Sequence, residues 1–330
     1  MEYRTLGSTN IEISSIAFGA WAIGGWMWGG TDLKEAQAAI TRALDLGVTT
    51  FDTAPVYGFG LSESIIGETL AAHRPRVQLC TKYGLRWDTT KGQFYFDSKD
   101  ANGKDLKIHK YASKESIVAE CEASLRRLKT DYIDLYQIHW ADPTTPVSES
   151  MEAVEKLVKD GKVRAAGVCN YSAELVDEAL KTSLLASNQI PYSMVHRPCE
   201  EDVIPQAIEK NISILAYSPL QRGLLTGKLS RDHAFKKGDH RSGNLYFTPE
   251  NIEQTNQFLQ NIKPVADAHN ATLPQVVIQW TIRQPGITCA LVGARDFKQA
   301  EQNALASEIN LSNSDMETID RELQKLSLSV

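Results

Sequence analysis

The feature of this chain that most restricts its fold is a regular alternation of short apolar segments with longer amphipathic ones. Most of the apolar segments are too short for helices, are rich in β-forming residues and follow turn sequences such as LGVTT or KDGKV, which favours strands. Their continuous apolar character is typical of strands covered on both faces, as in a parallel sheet. The segments are SIAFGAW (15–21), TTFDTA (49–54), VQLCTKY (77–83), YIDLYQIHW (132–140), RAAGVCN (164–170), NQIPYS (188–193), SILAYSPL (213–220) and TCALVGA (288–294).

The stretches between these segments carry helical patterns with identifiable ends. DLKEAQAAITRALDLG begins with a capping residue, Thr31 or Asp32, and stops at Gly47. SKESIVAECEASLRRLK has Ser113 as its N-cap, and SESMEAVEKLVKDGK ends at Gly161 with lysine in its last turn. Capping side chains at helix starts and glycine just past helix ends both support this interpretation.

Strands that alternate with helices in one unbroken chain predict an α/β fold, a (β/α)8 TIM barrel, with residues 1–330 as a single domain. The alternative is a doubly wound open sheet, in which a G-x-G-x-x-G fingerprint follows an early strand. The glycine-rich stretch AFGAWAIGGWMWGG lacks that spacing, which favours the barrel. The leading segment MEYRTLGSTNIEIS predicts a β-hairpin, YRTL and IEIS around a GSTN turn, that closes the bottom of the barrel.

The charge, apolar content and cysteine count of the chain exclude several kinds of binding partner and cellular location. A formal net charge of −6 without a long basic run disfavours general binding to nucleic acid or anionic membranes. No apolar run approaches the roughly 20 residues of a membrane span, and the polar start MEYRTLGSTN is unlike a secretory signal. Five dispersed cysteines without a CxxC pair indicate reduced thiols and a cytoplasmic location.

Two inserted stretches, residues 84–112 and 228–250, carry aromatic and basic residues among turn-forming ones. Long loops in a compact domain are usually functional or disordered. Because both stretches follow strands, we expect them at the C-terminal rim of the barrel, where barrel active sites form. The charged pair Lys236 and Lys237 is predicted to be solvated.

Polar residues end several predicted strands, and such ends point towards one shared pocket at the top of a barrel. Asp52 ends the second strand and leads to Tyr57 in a glycine-rich turn. Lys82 and His139 lie at the ends of the third and fourth strands. Singly, each has a structural explanation as a cap, a surface residue or a core residue. Burying both Lys82 and Asp52 is costly, however, unless the two pair.

Together these four side chains form an acid–base set. A free tyrosine, with a pKa of about 10, is a weak acid at neutral pH, and a nearby ammonium lowers that pKa. Lys82 would supply this charge, Asp52 would hold the lysine, and His139 would donate a hydrogen bond to the substrate oxygen. The set suits proton transfer to a carbonyl oxygen as the carbon receives a hydride. No side chain donates hydride, so a nicotinamide cofactor is implied.

The motifs FDTAPVYG, the TK of TKYG, DYIDLYQIHW, GVCNYS and AYSPLQRGLLTGK occur in this order. Together they resemble the aldo-keto reductase superfamily over essentially the whole length. The GLLTGK and VGARDFKQAEQN segments are most similar to the bacterial general-stress and inositol-linked reductases, near the potassium-channel β-subunit branch. The resemblance implies a barrel that binds NADP(H) without a Rossmann domain, a catalytic set of Asp52, Tyr57, Lys82 and His139, and Tyr57 as general acid.

The resemblance also places the cofactor. Asn170 and Gln189 would hydrogen-bond the carboxamide, Tyr217 would stack on the nicotinamide ring, and Ala20 and Trp21 would lie beside its ribose. The further cofactor-binding residues that the resemblance implies are Asp52, Ser218, Pro219, Leu220, Gln221, Arg222 and Gly223 near the nicotinamide and pyrophosphate, and Gly293, Ala294, Arg295, Gln299 and Asn303 at the adenosine end, at a helix N-terminus.

This sequence departs from the family pattern at two places. Cys169 stands where many relatives have serine; a thiol is a poorer hydrogen-bond donor than a hydroxyl, so the carboxamide contact expected there is weaker, and a redox-sensing thiol is an open alternative. At the adenosine phosphate, Gly293, Ala294 and Gln299 stand where many relatives have a lysine–serine pair and a later arginine. Arg295 is the remaining obvious cation for an NADP phosphate.

The primary hypothesis is therefore an NADPH-dependent oxidoreductase that reduces small aldehydes and ketones. The alternative is a cofactor-binding, redox-sensing regulatory subunit, which the complete catalytic set disfavours. A metal-dependent hydrolase needs clustered ligands at strand ends; only His139 and Asp52 qualify, so no metal is expected. The physiological substrate, the favoured direction and the oligomeric state stay open. An apolar substrate pocket is predicted from the tryptophans Trp21, Trp26, Trp28, Trp87 and Trp140.

Overall fold

The structure, a computed structural model, describes residues 1–235, 239 and 241–330. The predicted solvation of Lys236 and Lys237 lies outside the described residues. The strands are β1 (Tyr3–Thr5), β2 (Glu12–Ser14), β3 (Ile16–Gly19), β4 (Thr50–Asp52), β5 (Gln78–Tyr83), β6 (Leu85–Arg86), β7 (Gln93–Lys99), β8 (Asp105–Lys110), β9 (Ile133–Ile138), β10 (Val163–Cys169), β11 (Ser187–Pro191), β12 (Ser213–Tyr217) and β13 (Ile287–Gly293). The helices are α1 (Leu33–Asp45), α2 (Leu61–Leu70), α3 (Lys114–Leu128), α4 (Val147–Lys159), α5 (Ala173–Leu180), α6 (Val203–Glu209), α7 (Pro249–Ala268), α8 (Leu273–Ile282), α9 (Phe297–Leu305) and α10 (Asn313–Leu323).

Eight parallel strands close into a barrel in the order β10-β11-β12-β13-β3-β4-β5-β9. Each of them falls within, or within one residue of, one of the eight predicted apolar segments. Their continuous apolar character has the expected cause: β9, for example, is buried at every residue, because side chains face either the barrel interior or the surrounding helices. The prediction of a (β/α)8 barrel is confirmed.

Helices begin where side chains cap them. The carboxylate of Asp32 accepts hydrogen bonds from the backbone N–H groups of Lys34 and Glu35 at the start of α1, and the hydroxyl of Ser113 accepts one from Ser116 at the start of α3. These bonds satisfy donors that have no partner within the helix. Within the described part of the chain, no helix has the length and apolar character needed to cross a membrane.

The N-terminal hairpin closes the bottom of the barrel, as predicted. Strands β1 and β2 pair antiparallel. Leu6, Ile11 and Ile13 from this hairpin are at most 3% exposed and pack with interior barrel residues such as Leu135 and Cys289. The hairpin therefore fills the amino-terminal end of the barrel with apolar side chains and leaves the carboxyl-terminal end open.

The prediction of a long loop over residues 84–112 is wrong. Strands β6, β7 and β8 form a three-stranded antiparallel sheet in the order β6-β8-β7, here called the insert sheet. Buried carboxylates tie both of its ends to the barrel. Glu120 of α3 accepts the Gly84 N–H at 3.1 Å, and Asp142 accepts the Ala112 N–H at 2.9 Å. The segment that forms the insert sheet is thus held just before β6 and just after β8 by hydrogen bonds from its backbone to buried carboxyl groups.

Candidate active site

The structure brings Asp52 and Lys82 together inside the barrel. Asp52 ends β4, Lys82 lies near the end of the adjacent strand β5, and their side chains are almost fully buried. The Nζ atom of Lys82 lies 2.5 Å from Oδ1 of Asp52 and donates to the backbone carbonyl of Thr53 at 2.9 Å. A buried charge is tolerated when it is paired and hydrogen-bonded in this way.

The second carboxylate oxygen of Asp52 is also bound. It accepts hydrogen bonds from Nε2 of Gln189 at 2.9 Å and from Nε2 of Gln137 at 3.3 Å. The sequence interpretation missed Gln137. The signal was present, because Gln137 precedes His139 by two residues on β9, and residues two apart in a strand share one face. Asp52 is therefore fixed from both sides.

Tyr57 lies beside this pair. The centroid of its ring is 5.1 Å from Nζ of Lys82 and 5.6 Å from the ring centroid of His139, with the two rings nearly perpendicular. Burial raises the pKa of Tyr57 to about 12, although the charge of Lys82 lowers it. The expected lowering by the ammonium of Lys82 is therefore present, and desolvation of the phenolate is the larger, opposing effect on this pKa.

The protonation states of the other two groups follow from their surroundings. Burial by itself lowers the pKa of Lys82, but the carboxylate of Asp52, together with the nearby Tyr57 and Cys169, more than reverses this and holds the pKa well above its usual value. Burial, together with the charge of Lys82, lowers the pKa of His139 well below its usual value. At neutral pH the site therefore contains a charged lysine and a neutral imidazole, which can still donate one hydrogen bond.

Two glycines allow the loop that carries Tyr57 to pack closely against the loop after β3. A Cβ added at Gly24 would lie 2.7 Å from the carbonyl oxygen of Tyr57, and one added at Gly58 would collide with the carbonyl of Gly24. Gly58 also has a φ of +68°, a left-handed conformation that glycine adopts at little cost. The glycines of the FDTAPVYG and AIGG segments therefore set the position of Tyr57.

We expect Gly24→Ala to lower kcat for the reaction of this site by about tenfold to a hundredfold, because a displacement of a reacting group by about 1 Å has effects of this size. Steady-state kinetics and thermal melting would be measured together. Gly161→Ala is the control, since its Cβ meets open space at a φ of +75°, it is not part of the cavity lining, and it adds only backbone strain of about 1–2 kcal/mol. Equal losses in the two variants would contradict this role for Gly24.

A cavity of about 1090 Å³ opens above the catalytic set. The predicted site residues that line it are Ala20, Trp21, Asp52, Tyr57, His139, Asn170, Gln189, Tyr217, Ser218, Pro219, Leu220, Arg222, Gly223, Gly293, Arg295, Gln299 and Asn303. Three others lie behind this lining: Lys82 is fully buried, Ala294 is 1% exposed, and the side chain of Gln221 accepts a hydrogen bond from Ser193.

The predicted tryptophan pocket is confirmed in part. Trp21, Trp26, Trp28 and Trp140 line the cavity, whereas Trp87 packs against Phe59 with ring centroids 5.3 Å apart and is not part of the lining. Both inserted stretches contribute to the cavity wall, which confirms their expected position at the C-terminal rim. The contributing residues missed from the sequence are Leu85, Tyr95 and Phe96 of the first stretch and Lys228, Leu229, His233, Ala234, Asp239 and Arg241 of the second.

Hydrogen bonds also fix side chains of the cavity wall outside the set of Asp52, Tyr57, Lys82 and His139. Asn170 has a φ of +59°; its side chain donates to the carbonyl of His139 at 3.1 Å and accepts from the hydroxyl of Tyr217 at 2.8 Å. At the other end, a guanidinium nitrogen of Arg295 donates to the carbonyl of Gly30 at 3.0 Å, beside the N-terminus of α9. Within the described ranges, no group of three or more histidine, cysteine, aspartate or glutamate side chains could hold a metal ion.

Comparison with known proteins finds relatives along almost the whole chain. Residues 15–323 match the Aldo/keto reductase family. The chain is 38% identical over 327 residues to the aldo-keto reductase YhdN of Bacillus subtilis, covering 98% of this chain and 94% of that one. It is 35% identical over 329 residues to the NADH-specific methylglyoxal reductase of Escherichia coli, covering 98% of each. A glycerol dehydrogenase structure from Gluconobacter oxydans aligns with a TM-score of 0.88 and 37% identity, covering 98% of this chain and 95% of that one.

Proposed function

The chain belongs to the aldo/keto reductase family, and from this premise we propose that it reduces small aldehydes and ketones to alcohols, with NADPH as reductant and Tyr57 as general acid. The family resemblance seen in the sequence is confirmed. The observation that supports the reaction is the buried ion pair of Lys82 and Asp52, which lies 5.1 Å from the ring of Tyr57 at the wall of a large cavity. A buried ammonium beside a phenol at the cavity wall supports proton donation by Tyr57 over passive binding.

The donor set and the continuity of the cavity fit a nicotinamide dinucleotide. One cavity joins Tyr57 to Arg295 at the start of α9, and a helix N-terminus favours phosphate. Asn170 and Gln189 would hold the carboxamide and Tyr217 would stack on the ring. For the other cofactor-binding residues that the family resemblance implies, we propose the contacts with the ribose, the pyrophosphate and the adenosine end given above. When bound there, the nicotinamide supplies the hydride.

The side chains of the site would supply the proton that the carbonyl oxygen takes up. As the carbonyl carbon gains hydrogen with its electron pair, the C=O π bond breaks and the oxygen takes the proton of Tyr57. The ammonium of Lys82 stabilises the phenolate left behind, and Asp52 keeps that ammonium in place. His139, neutral because its pKa is lowered, donates a hydrogen bond to the same oxygen and orients it. Solvent then returns a proton to Tyr57.

A substrate panel tests this function. Aldehydes, α-dicarbonyls, aromatic ketones and sugars would be compared by kcat/KM, from the loss of NADPH absorbance. We expect turnover of aldehydes or ketones with a Tyr57-dependent rate. Tight binding of NADPH without turnover of any carbonyl compound would instead support the regulatory-subunit alternative. Burial raises the pKa of Cys169 well above its usual value, which makes that thiol a poor redox sensor.

We expect the chain to bind NADPH more tightly than NADH, with Arg295 responsible for much of the difference. Its guanidinium lies at the adenosine end of the cavity and can meet a 2′-phosphate with charge-assisted hydrogen bonds. Such a contact contributes roughly 1.5–3 kcal/mol, so Arg295→Ala should lose about tenfold or more in NADPH affinity and little in NADH affinity. Fluorescence titration of both cofactors measures this.

Lys298→Ala is the matched control for Arg295→Ala. Lys298 is an exposed cation in the first turn of α9, three residues after Arg295, and does not belong to the cavity lining, so its loss changes the general charge of the region alone. Equal losses for the two cofactors in Arg295→Ala would show that Arg295 does not contact the phosphate. A wild-type preference for NADH, as named for the Escherichia coli relative, would overturn the proposed cofactor while leaving the proposed reaction intact.

We also propose a cytoplasmic location and a single domain spanning residues 1–330. All five cysteines lie among the described residues, and these are free thiols, which suits a reducing compartment. Fractionation of the cells that produce the protein tests the location. One cooperative melting transition would support the single domain.

A further inference from the structure

The insert sheet contains an irregularity that faces the cavity. In the pairing of β7 with β8, Phe94 lies opposite His109 and Phe96 lies opposite Ile108, so Tyr95 is an extra residue in β7. This is a β-bulge, a feature that redirects a side chain and occurs often beside active sites. As a result, the consecutive residues Tyr95 and Phe96 both line the cavity, although neighbours in a regular strand point to opposite faces.

Contacts on both sides hold these two rings. The ring of Tyr95 lies 5.7 Å from that of Trp140, the residue after His139, and the ammonium of Lys110 lies 4.4 Å from the Tyr95 ring centroid. The ring of Phe96 stacks on Trp26 at 6.1 Å. The two rings also pack edge to face, with centroids 4.9 Å apart.

A hydrogen bond also connects the insert sheet to the loop after β3. The indole N–H of Trp26 donates to the hydroxyl of Ser98 on β7 at 2.8 Å. Trp26 belongs to the loop after β3, so this bond connects the insert sheet to the loop that packs against Tyr57. We call the surface formed by Trp26, Tyr95, Phe96 and Trp140 the aromatic wall.

We propose that Tyr95 and Phe96 are specificity-determining residues, and that the aromatic wall binds the non-reacting part of carbonyl substrates that carry an aryl group. This inference rests on the proposed carbonyl reduction. Trp140 follows His139 in the chain, and the wall lines the same cavity as Tyr57 and His139, so the carbon substituent of a carbonyl held by these two residues can reach the wall. Aromatic rings prefer offset or edge-to-face contact at the separations found between the rings of this wall. A flat apolar substituent would gain these contacts, whereas a methyl group would leave most of the wall unused.

The test compares benzaldehyde with acetaldehyde, two aldehydes that differ by a phenyl ring in place of a methyl group. We expect wild-type kcat/KM to be at least about tenfold higher for benzaldehyde, since apolar pocket contacts of this kind discriminate by about 10–200-fold. Tyr95→Ala and Phe96→Ala should each reduce that ratio by about fivefold or more, with cofactor affinity unaffected. Phe94→Ala is the matched control, because Phe94 lies on the same strand and is 50% exposed; its ratio should equal that of the wild type.

The outcomes separate the inference from the proposed function. Wild-type enzyme that turns over neither aldehyde, nor any other carbonyl compound, would defeat the proposed function. Turnover of both with a wild-type ratio near one, or a ratio unaltered in both alanine variants, would overturn the role of the aromatic wall alone. If an alanine variant melts at a lower temperature, Phe96→Leu keeps an apolar side chain in the sheet and removes only the ring. It should still lower the ratio, and an unaltered ratio would overturn the inference.

Discussion

Replacing Tyr57 with phenylalanine is expected to lower kcat for carbonyl reduction by about 10²–10⁴-fold, the usual effect of losing a general acid. The change removes only the phenolic O–H and keeps the ring, whose contacts with His139 and Trp21 do not need the hydroxyl. Affinity for NADPH should therefore stay close to that of the wild type. Steady-state kinetics and fluorescence titration measure the two quantities separately.

Tyr217→Phe is a useful comparison for Tyr57→Phe. It also removes one hydroxyl from the cavity, the one that donates to Asn170, but it leaves the proposed proton donor in place. A kcat for Tyr57→Phe that stays near the wild-type value would contradict the assignment of Tyr57 as general acid. Loss of NADPH affinity in Tyr57→Phe would show that the residue has a structural role instead.

Replacing Lys82 with methionine is expected to lower the rate by about 10–10³-fold, because an opposite charge close by shifts a pKa by about 1–3 units. In the wild type, burial raises the pKa of Tyr57 to about 12 and Lys82 opposes that rise. Without the ammonium, this pKa must increase further. Tyr57 then stays protonated to higher pH and becomes a weaker acid for reduction.

The pH profile distinguishes this role from simple damage. Reduction uses the protonated phenol, so its rate should begin to fall only at alkaline pH, and alcohol oxidation, which needs the phenolate, should rise there. In Lys82→Met both changes should move to higher pH. An unaltered profile with a lower rate would contradict the idea that Lys82 tunes Tyr57. Combining Lys82→Met with Asp52→Asn avoids an unpaired buried carboxylate, and the double variant should melt at a higher temperature than Lys82→Met alone.

The barrel could be predicted because its signal is local and repeated. Each strand is covered on both faces, so each is a continuous apolar segment between turns, as in β9. The insert sheet is different: β7 and β8 are mostly polar strands separated by the turn-forming residues 100–104. The rings of Tyr95 and Phe96 on β7 pack against Trp140 and Trp26, which lie far from them in the sequence, and a strand whose outer face is solvated gives only a weak apolar pattern.

The convergence of Asp52, Tyr57, Lys82 and His139 at one end of the barrel could also be predicted, since strand ends in a barrel converge. The pKa of Tyr57 could not. The sequence identifies the ammonium of Lys82, but the net direction depends on how much solvent the folded chain removes from the phenol, and burial is the larger effect. Tyr95 was missed because its position also depends on the folded chain. The bulge that turns it towards the cavity exists only through the pairing of β7 with β8.

The anchoring of the insert sheet has a consequence for how such a protein can change over generations. Glu120 and Asp142 attach the segment at its two ends, whereas Asp52, Lys82 and His139 all come from barrel strands or their ends. A recombination event that exchanged residues 85–110 between the two attachments would replace the part of the aromatic wall that comes from the insert sheet, Tyr95 and Phe96, and leave Asp52, Lys82 and His139 unchanged. Chemistry and substrate choice can thus be inherited as separate modules, which makes this segment a natural unit for laboratory grafting.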